Sequence, residues 1–496
     1  MKKFDVIIIG SGIGGLSAGA ILSKKGKKVL VLEKHFLPGG YATNFRRGKF
    51  EFDSSLHQIS NFEKTGFLNV IKKCGILKKI NFIKHKFLFE AKFPDFKIAF
   101  KNGNTQDFRQ KLEKQFPKEK WRIRLWFFLL WKLGREVYWW DKFIKFRKIA
   151  FPMIYFAPFL IPLLILSDKF SLKKILDFCG RNKKLRAVLR QLLGYFSSNE
   201  KISYQFFAIP NYSYFFSGGI YPRGGAQCLS NALVEVIQNS KGQVLCNNEV
   251  DKILVENNQS IGIKTVSGDE FLAKKIIANA NPFLVYENFL SHWPRAKKEL
   301  DKIKKMEIGT SLSQIFIGLK CPIETLNPIF QNSYNFFVNG SYELNIPQNF
   351  SIEYQNFVLI FPTNIEPNFA PKNKSTVQIT FVDNYDRWQS LSKKDYIKQK
   401  KIELNKILQK VENFLPNLRQ NIEMCEFATP LTMERFTGNP KGAVYGFSQK
   451  VGQSGFSRFD LNSPLKNLYF ASAWSQPGGG IEGVMRAGER VARKIN

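Results

Sequence analysis

The chain has 496 residues, 44% of them apolar and 23% charged; these globular proportions exclude wholesale disorder and a multi-span membrane protein. Lys and Arg number 75 against 40 acidic residues, a net charge of +35, which points to an anionic partner such as a membrane surface, nucleic acid or an acidic small molecule. Lys, Asn, Ile and Phe are abundant together, as an AT-rich genome produces, so codon composition is a second source of that charge. Cys74, Cys179, Cys228, Cys246, Cys321 and Cys425 are scattered without a C-x-x-C pair, which argues against a metal site or disulfide framework and suits a reducing compartment.

The opening MKKFDVIIIGSG places two lysines before an apolar run. That run is too short for a signal peptide, breaks at Gly10 and has no small-residue cleavage site after it. It predicts a buried parallel strand over Phe4 to Ile9, and a cytoplasmic location. Gly10-Ser11-Gly12-Ile13-Gly14-Gly15 follows, then a helix, then a second buried strand from Val29 to Leu32 that ends in Glu33. Each part has a task in holding a dinucleotide. Gly10 allows a tight turn, Gly12 lets backbone approach a pyrophosphate, and Gly15 lets helix pack on sheet. The helix N-terminus offers free N–H groups to the pyrophosphate, and Glu33 accepts from ribose hydroxyls.

Leu37-Pro38-Gly39-Gly40 comes almost at once, and the far end reads LYFASAWSQPGGGIEGVMRAGERVARKI. There an apolar strand, a glycine turn at Gly478 to Gly480 and a helix form a second phosphate-type turn. Such an element can aim N–H groups and a helix dipole at a flavin ring, and nicotinamide enzymes need none. FAD is therefore the expected cofactor.

These residues resemble the carotenoid and retinoid branch of the flavin amine-oxidase superfamily: phytoene desaturases, carotenoid isomerases and retinol saturases. The resemblance is carried by the start through Gly40, by FEFDSSLH around Asp53 and His57, by SGGIYPRGGAQCLSNAL from Ser217, and by TPLTMERFTGNPKGAVYG from Thr429 onward to the end. CNNEVDKI, from Cys246 to Ile253, resembles the family's adenine-touching strand. The resemblance implies FAD contacts at Gly10, Ser11, Gly12, Gly14, Gly15, Glu33, Gly39, Gly40, Val250, Gly480, Ile481 and Gly483. It also implies an α/β fold: a Rossmann-type, glutathione-reductase-like FAD domain (1–94, 211–294, 431–496) with a discontinuous α+β substrate domain (95–210, 295–430) and a membrane-associating helical segment. Ala473 departs from the pattern, because phytoene desaturases usually carry Asp there, and Gln476 stands for their usual His. Ser472, backbone groups or a water would have to substitute for the missing carboxylate. His57 after FEFD is more like the saturase-type members.

Between these motifs, Lys118 to Lys148 is basic and interleaved with Trp121, Trp126, Trp131, Trp139 and Trp140. Trp favours the headgroup depth of a bilayer, and each basic residue gains about 1 kcal/mol beside anionic lipid. Ile149 to Ser167 is uncharged but holds Pro152, Pro158 and Pro162, which disfavour a spanning helix. Residues 118–167 thus read as a monotopic dip into an anionic membrane surface. The alternative is a buried helical hairpin with a solvated basic face. No nucleic-acid module accompanies the charge. Ser351 to Phe361 and Thr376 to Val382 predict strands flooring an apolar pocket, with Phe336, Phe337 and Tyr354 as core.

The four histidines, His35, His57, His85 and His292, form no nucleophilic triad, and no carboxylate pair stands out. His57 and Glu482 are the titratable candidates nearest the flavin-facing motifs. For His57 the alternative is a structural hydrogen bond, and for Glu482 a helix-dipole charge. The implied activity is FAD-dependent chemistry on carbon–carbon bonds of a membrane-dissolved polyene isoprenoid, by desaturation, cis–trans isomerisation or saturation, with the electron acceptor unassigned. A soluble flavin amine oxidase and a non-enzymatic isoprenoid escort protein are the competing readings.

Overall fold

A computed structural model describes residues 2–61, 67–145, 157–195, 197, 199–344 and 356–495. The first strand, Lys2–Ile9, alternates its buried residues between two layers. Val6 and Ile8 pack with Leu16, Leu22, Leu229, Leu233 and Val491, while Ile7 and Ile9 pack with Val285, Tyr286, Leu300 and Ile303. Both faces are covered, which is why strands here read as unbroken apolar runs. Val29–Leu32 and Glu270–Ala278 flank the first strand in parallel, with Gln243–Leu245 beyond the former and Leu468–Phe470 beyond the latter. Ile9 lies opposite Leu32 and Ala278, Leu32 opposite Leu245, and Ala278 opposite Phe470. The five strands therefore end level, and the residues that follow them, Gly10, Glu33, Asn279 and Ala471 among them, share one edge. The first half of Glu270–Ala278 pairs instead with an antiparallel meander, Gln259–Thr265 and Val250–Glu256.

On one face, the helix Ile13–Lys24 meets the terminal helix Ile481–Ile495 at glycine. A Cβ on Gly488 would stand 2.3 Å from the Gly14 carbonyl oxygen, and one on Gly14 would stand 2.2 Å from that of Ala471. Backbone on backbone contact of this kind admits no side chain.

The second sheet has seven strands, in the order Ile422–Ala428, Ser311–Leu319, Ser375–Asp383, Phe357–Ile360, Asn335–Val338, Phe87–Lys92 and Lys97–Lys101. Phe87–Lys92 pairs with Asn335–Val338 and with Lys97–Lys101, so the division expected at 94/95 falls inside one hairpin. The predicted strand at Thr376 to Val382 lies within Ser375–Asp383. Of Ser351 to Phe361, residues 351–355, Tyr354 included, lie outside the described residues. Phe336 and Phe337 are both buried in core clusters, as expected, and Phe337 also borders the central cavity.

The basic, Trp-rich stretch forms the helix Lys120–Lys145. Ile123, Trp126, Phe127, Leu130 and Leu133 are buried at helical spacing, and Gly134 lies so close to Tyr212 that a Cβ would meet its ring at 2.1 Å. Trp126 is wholly buried against Tyr204 and Phe207, which corrects the membrane role expected of that residue. The opposite stripe, Trp121, Arg124, Phe128, Trp131, Arg135 and Trp139, is exposed. Residues 146–156 lie outside the described part; beyond them Ala157–Leu160 and Pro162–Ser167 are short helices, with Pro162 at a first-turn position where its missing N–H costs nothing. Glu136, buried on the long helix, accepts from Leu164 N at 2.7 Å, and Gln205 Nε2 donates to Leu164 O at 2.6 Å. Among the described residues, no helix is long and apolar enough to cross a membrane.

Replacing Gly488 by Ala forces the two helices apart, a change expected to cost about 1–3 kcal/mol. The measurement is a thermal melt followed by circular dichroism, which should show a midpoint several degrees lower; an unchanged midpoint would show that the contact is dispensable.

Candidate active site

The common strand edge opens onto a cavity of about 970 Å³, at the upper end of the range for small-molecule sites. Two helix N-termini face it. The Ile13–Lys24 helix starts from Gly12 with no side-chain cap and no acidic residue in its first turn. The terminal helix follows Gly480, whose φ is +83° and whose Cβ position is open except for Tyr445 at 3.9 Å. Free first-turn N–H groups and two positive dipole ends thus converge on one space, an arrangement that attracts phosphate oxygens.

Gly10, Gly12, Gly14, Glu33, Gly39, Gly40, Val250, Gly480, Ile481 and Gly483 all line this cavity. Ser11 and Gly15 stand behind its wall. Ser11 is fully buried, and its N–H and Oγ both donate to Glu33 Oε2 at 2.7 Å. With His35 N donating to Oε1 at 2.9 Å, the carboxylate is fixed in place. A Cβ on Gly15 would meet Gly10 O at 2.8 Å and Ile8 Cγ2 at 2.9 Å, so Gly15 serves helix–sheet packing. Two wall residues escaped the sequence reading. Asn279 donates from Nδ2 to Gly10 O at 3.3 Å and fills the space where a Gly12 side chain would go. Its signal was an apolar strand ending in Ala278-Asn279. The Tyr445 ring occupies the place of a Gly479 side chain, 2.4 Å from its Cβ position, and nothing local in sequence announces that.

Past the two glycine turns the cavity continues between the second sheet and the helical layer, lined by Trp140, Leu164, Tyr195, Ile209, Phe337 and Val358. Apolar side chains predominate here, and His57, Gln314, Thr380, Arg190, Gln191 and Asn339 are among the polar residues in its wall. Asp53 accepts from the N–H groups of Ser55, Leu56 and Ala226 and from the Tyr221 hydroxyl. It thereby ties the loop carrying His57 to the start of the Ala226–Asn239 helix. Burial pushes its carboxyl up to about 6 in spite of these donors. His57 Nε2 lies 3.5 Å from Thr380 Oγ1, its ring is edge-on to Tyr195 at 5.4 Å, and Nδ1 has no partner among the described residues. Burial pulls its pKa down to about 4, so the imidazole is neutral at neutral pH. Glu482 accepts from Ser60 Oγ at 2.9 Å and from Arg486 at 2.9 and 3.1 Å; it is committed to an ion pair in the first turn of its helix. Ala473 lines the cavity without a carboxylate, beside Ser472. His85 lies apart, stacked on Tyr334 at 4.4 Å.

The family model for flavin containing amine oxidoreductases matches residues 13–496. The chain is similar to prolycopene isomerase 2, chloroplastic, of an Oncidium hybrid cultivar: 27% identical, covering 100% of this chain and 84% of that protein. It is likewise similar to the all-trans-retinol 13,14-reductase of Danio rerio, 27% identical over 94% of this chain and 82% of that one. Among solved structures, an oxidoreductase from Methanosarcina mazei superposes with a TM-score of 0.67 at 18% identity, covering 99% of this chain and 100% of that one. The chain belongs to the flavin containing amine oxidoreductase family, and FAD is its cofactor.

The site also fixes a pH dependence. Between pH 6.5 and about 4 the unfolded chain binds a proton on His57 that the folded protein refuses, so stability rises with pH across that window and is lost as pH falls. The full contribution is about 3 kcal/mol. Denaturant unfolding at pH 7 and pH 4.5 should show a smaller acid loss in His57→Gln than in the parent; equal losses would contradict the assignment.

Proposed function

We propose that this FAD-dependent oxidoreductase acts on carbon–carbon double or single bonds of a polyene isoprenoid taken from a membrane surface, by isomerisation, saturation or desaturation. The observation that carries the reading is the continuity of one cavity, from the glycine turns and Glu33 at the strand ends to the apolar passage beside Trp140 and Leu164. The residues fit FAD. Two helix starts would offer N–H donors to its pyrophosphate and its ring, Glu33 would accept from ribose hydroxyls, and Gly10, Gly12, Gly14, Gly39, Gly40, Val250, Gly480, Ile481 and Gly483 would form the contact surface, with Ser11 and Gly15 supporting it. Bound there, FAD supplies two-electron exchange at carbon.

The remaining tasks belong to the protein. Apolar walls orient a long chain and keep water out, and a conjugated chain spreads its own developing charge, so no acid–base pair is required. His57, neutral and set in the apolar part, is the residue able to hold or pass a proton there. Glu482, held by Arg486, orients the helix start. The exposed stripe Trp121, Phe128, Trp131 and Trp139, interleaved with Arg124 and Arg135, together with Phe159 and Leu160 at 82% and 52% exposure, suits peripheral docking on the cytoplasmic face of an anionic bilayer. An amine oxidase reading leaves that stripe unexplained, and peroxide release on adding an amine would favour it. An escort reading leaves the fixed Glu33 carboxylate without a task, and an oxidised-flavin spectrum of the purified protein excludes an apo escort.

Co-expression with linear carotenoid precursors, followed by chromatography with mass detection, should give a new peak. Unchanged mass assigns isomerisation, gain of two hydrogens saturation, and loss of two desaturation; an unchanged chromatogram with flavin-loaded protein present would refute polyene chemistry. Sedimentation with anionic liposomes should weaken as salt rises and fall further in a Trp131→Ala, Trp139→Ala double variant, and failure to bind at low salt would refute the docking face.

A further inference from the structure

We propose that Arg458 is a positioning residue that holds the cavity wall from Ala473 to Gln476 and, as a fixed cation one peptide unit behind that wall, raises the redox potential of the bound flavin. The inference rests on the flavin reading above and adds to it a residue that does not itself line the cavity.

Arg458 follows the turn Gly455–Ser457 and is 2% exposed. Its guanidinium donates to four backbone carbonyls: from Nε to Ser475 O at 3.2 Å, from Nη1 to Phe447 O at 3.0 Å, and from Nη2 to Tyr445 O at 2.9 Å and to Ala473 O. These acceptors lie on two stretches of backbone, one carrying Tyr445 and the other running into the Gly478–Gly480 turn, and both contribute wall residues. A planar fork with five donors can gather carbonyls from two chain segments in this way, and a lysine ammonium cannot match the geometry.

Among the described residues no carboxylate lies within ion-pair distance of Arg458, and carbonyl dipoles alone solvate it. Burial brings its pKa down to about 9, which leaves it cationic at neutral pH. The wall position that carries Asp in the desaturases this chain resembles is Ala473, and Glu482, a wall acid in the first turn of the terminal helix, is already paired with Arg486. A cation in a poorly screened site, with no acid beside it, favours negative charge collecting on a ring in the cavity.

The test is the midpoint potential of the bound flavin, measured by spectral titration against a reference dye. Ala473→Asp leaves Arg458 and its four hydrogen bonds in place and adds a carboxylate to the wall. It should disfavour the reduced flavin about tenfold, a fall of about 30 mV for a two-electron couple. Arg458→Met should shift the potential the same way, and Arg458→Lys should keep most of the potential while retaining FAD less tightly. If Arg458→Met does not fold, Arg458→Gln, which keeps side-chain donors and drops the charge, decides in its place. Either variant, flavin-loaded and at the parent potential, overturns the proposal. Protein that neither carries nor takes up FAD overturns the flavin reading, and the proposal with it.

Discussion

The structure turns on a place where two helices have no side chains between them. Gly14 and Gly488 bring the Ile13–Lys24 helix and the terminal helix into backbone contact, and strands ending level beside them fix where each helix begins. Close approach aims both N-termini into one cavity, so a single packing constraint makes the phosphate-type turns cooperate. Like partial charges converge there, roughly +0.5 at each helix end. Glu482 in the first turn of the terminal helix, itself paired with Arg486, offsets this only in part, and a bound anion offsets more, which ties the stability of this edge to its cofactor.

The second sheet and its helical layer answer a different requirement. A long apolar substrate needs a dry passage, and a helix that is apolar on one face and basic-aromatic on the other can wall that passage while meeting a lipid surface. Lys120–Lys145 walls the cavity through Val137 and Trp140 and leaves a basic-aromatic stripe exposed, the buried and exposed stripes each repeating every three to four residues. Glu136 and Gln205, holding Leu164 by its N–H and its carbonyl, anchor the next segment against the passage.

Much of the cofactor half was legible in the sequence because its signals are local. A glycine turn between strand and helix states its conformation within six residues, and an acid at a strand end follows from the same unit. Tyr445 and Arg458 were not legible, since each acts on backbone that is not adjacent in sequence and nothing beside it says so, and Asn279 left only the end of an apolar strand as its mark. The boundary expected at 94/95 falls inside a hairpin for the same reason: Phe87–Lys92 also pairs with Asn335–Val338, and pairing across that separation leaves no periodic mark. Composition placed all five tryptophans of the basic stretch at a membrane, but only helix phase separates Trp126 from its neighbours. Phe337 shows the same limit in a strand, where alternation gives two faces and not which of them borders a void.

One consequence concerns how the protein is made. The cofactor cradle joins a turn at Gly12 to a turn at Gly480, and the strand Leu468–Phe470 completes the sheet between them. A nascent chain emerging from the ribosome holds the Gly12 turn long before the Gly480 turn has been synthesised. FAD capture therefore waits for the second turn, and a chain interrupted anywhere before the helix Ile481–Ile495 has only half a site, however well its first strands have folded.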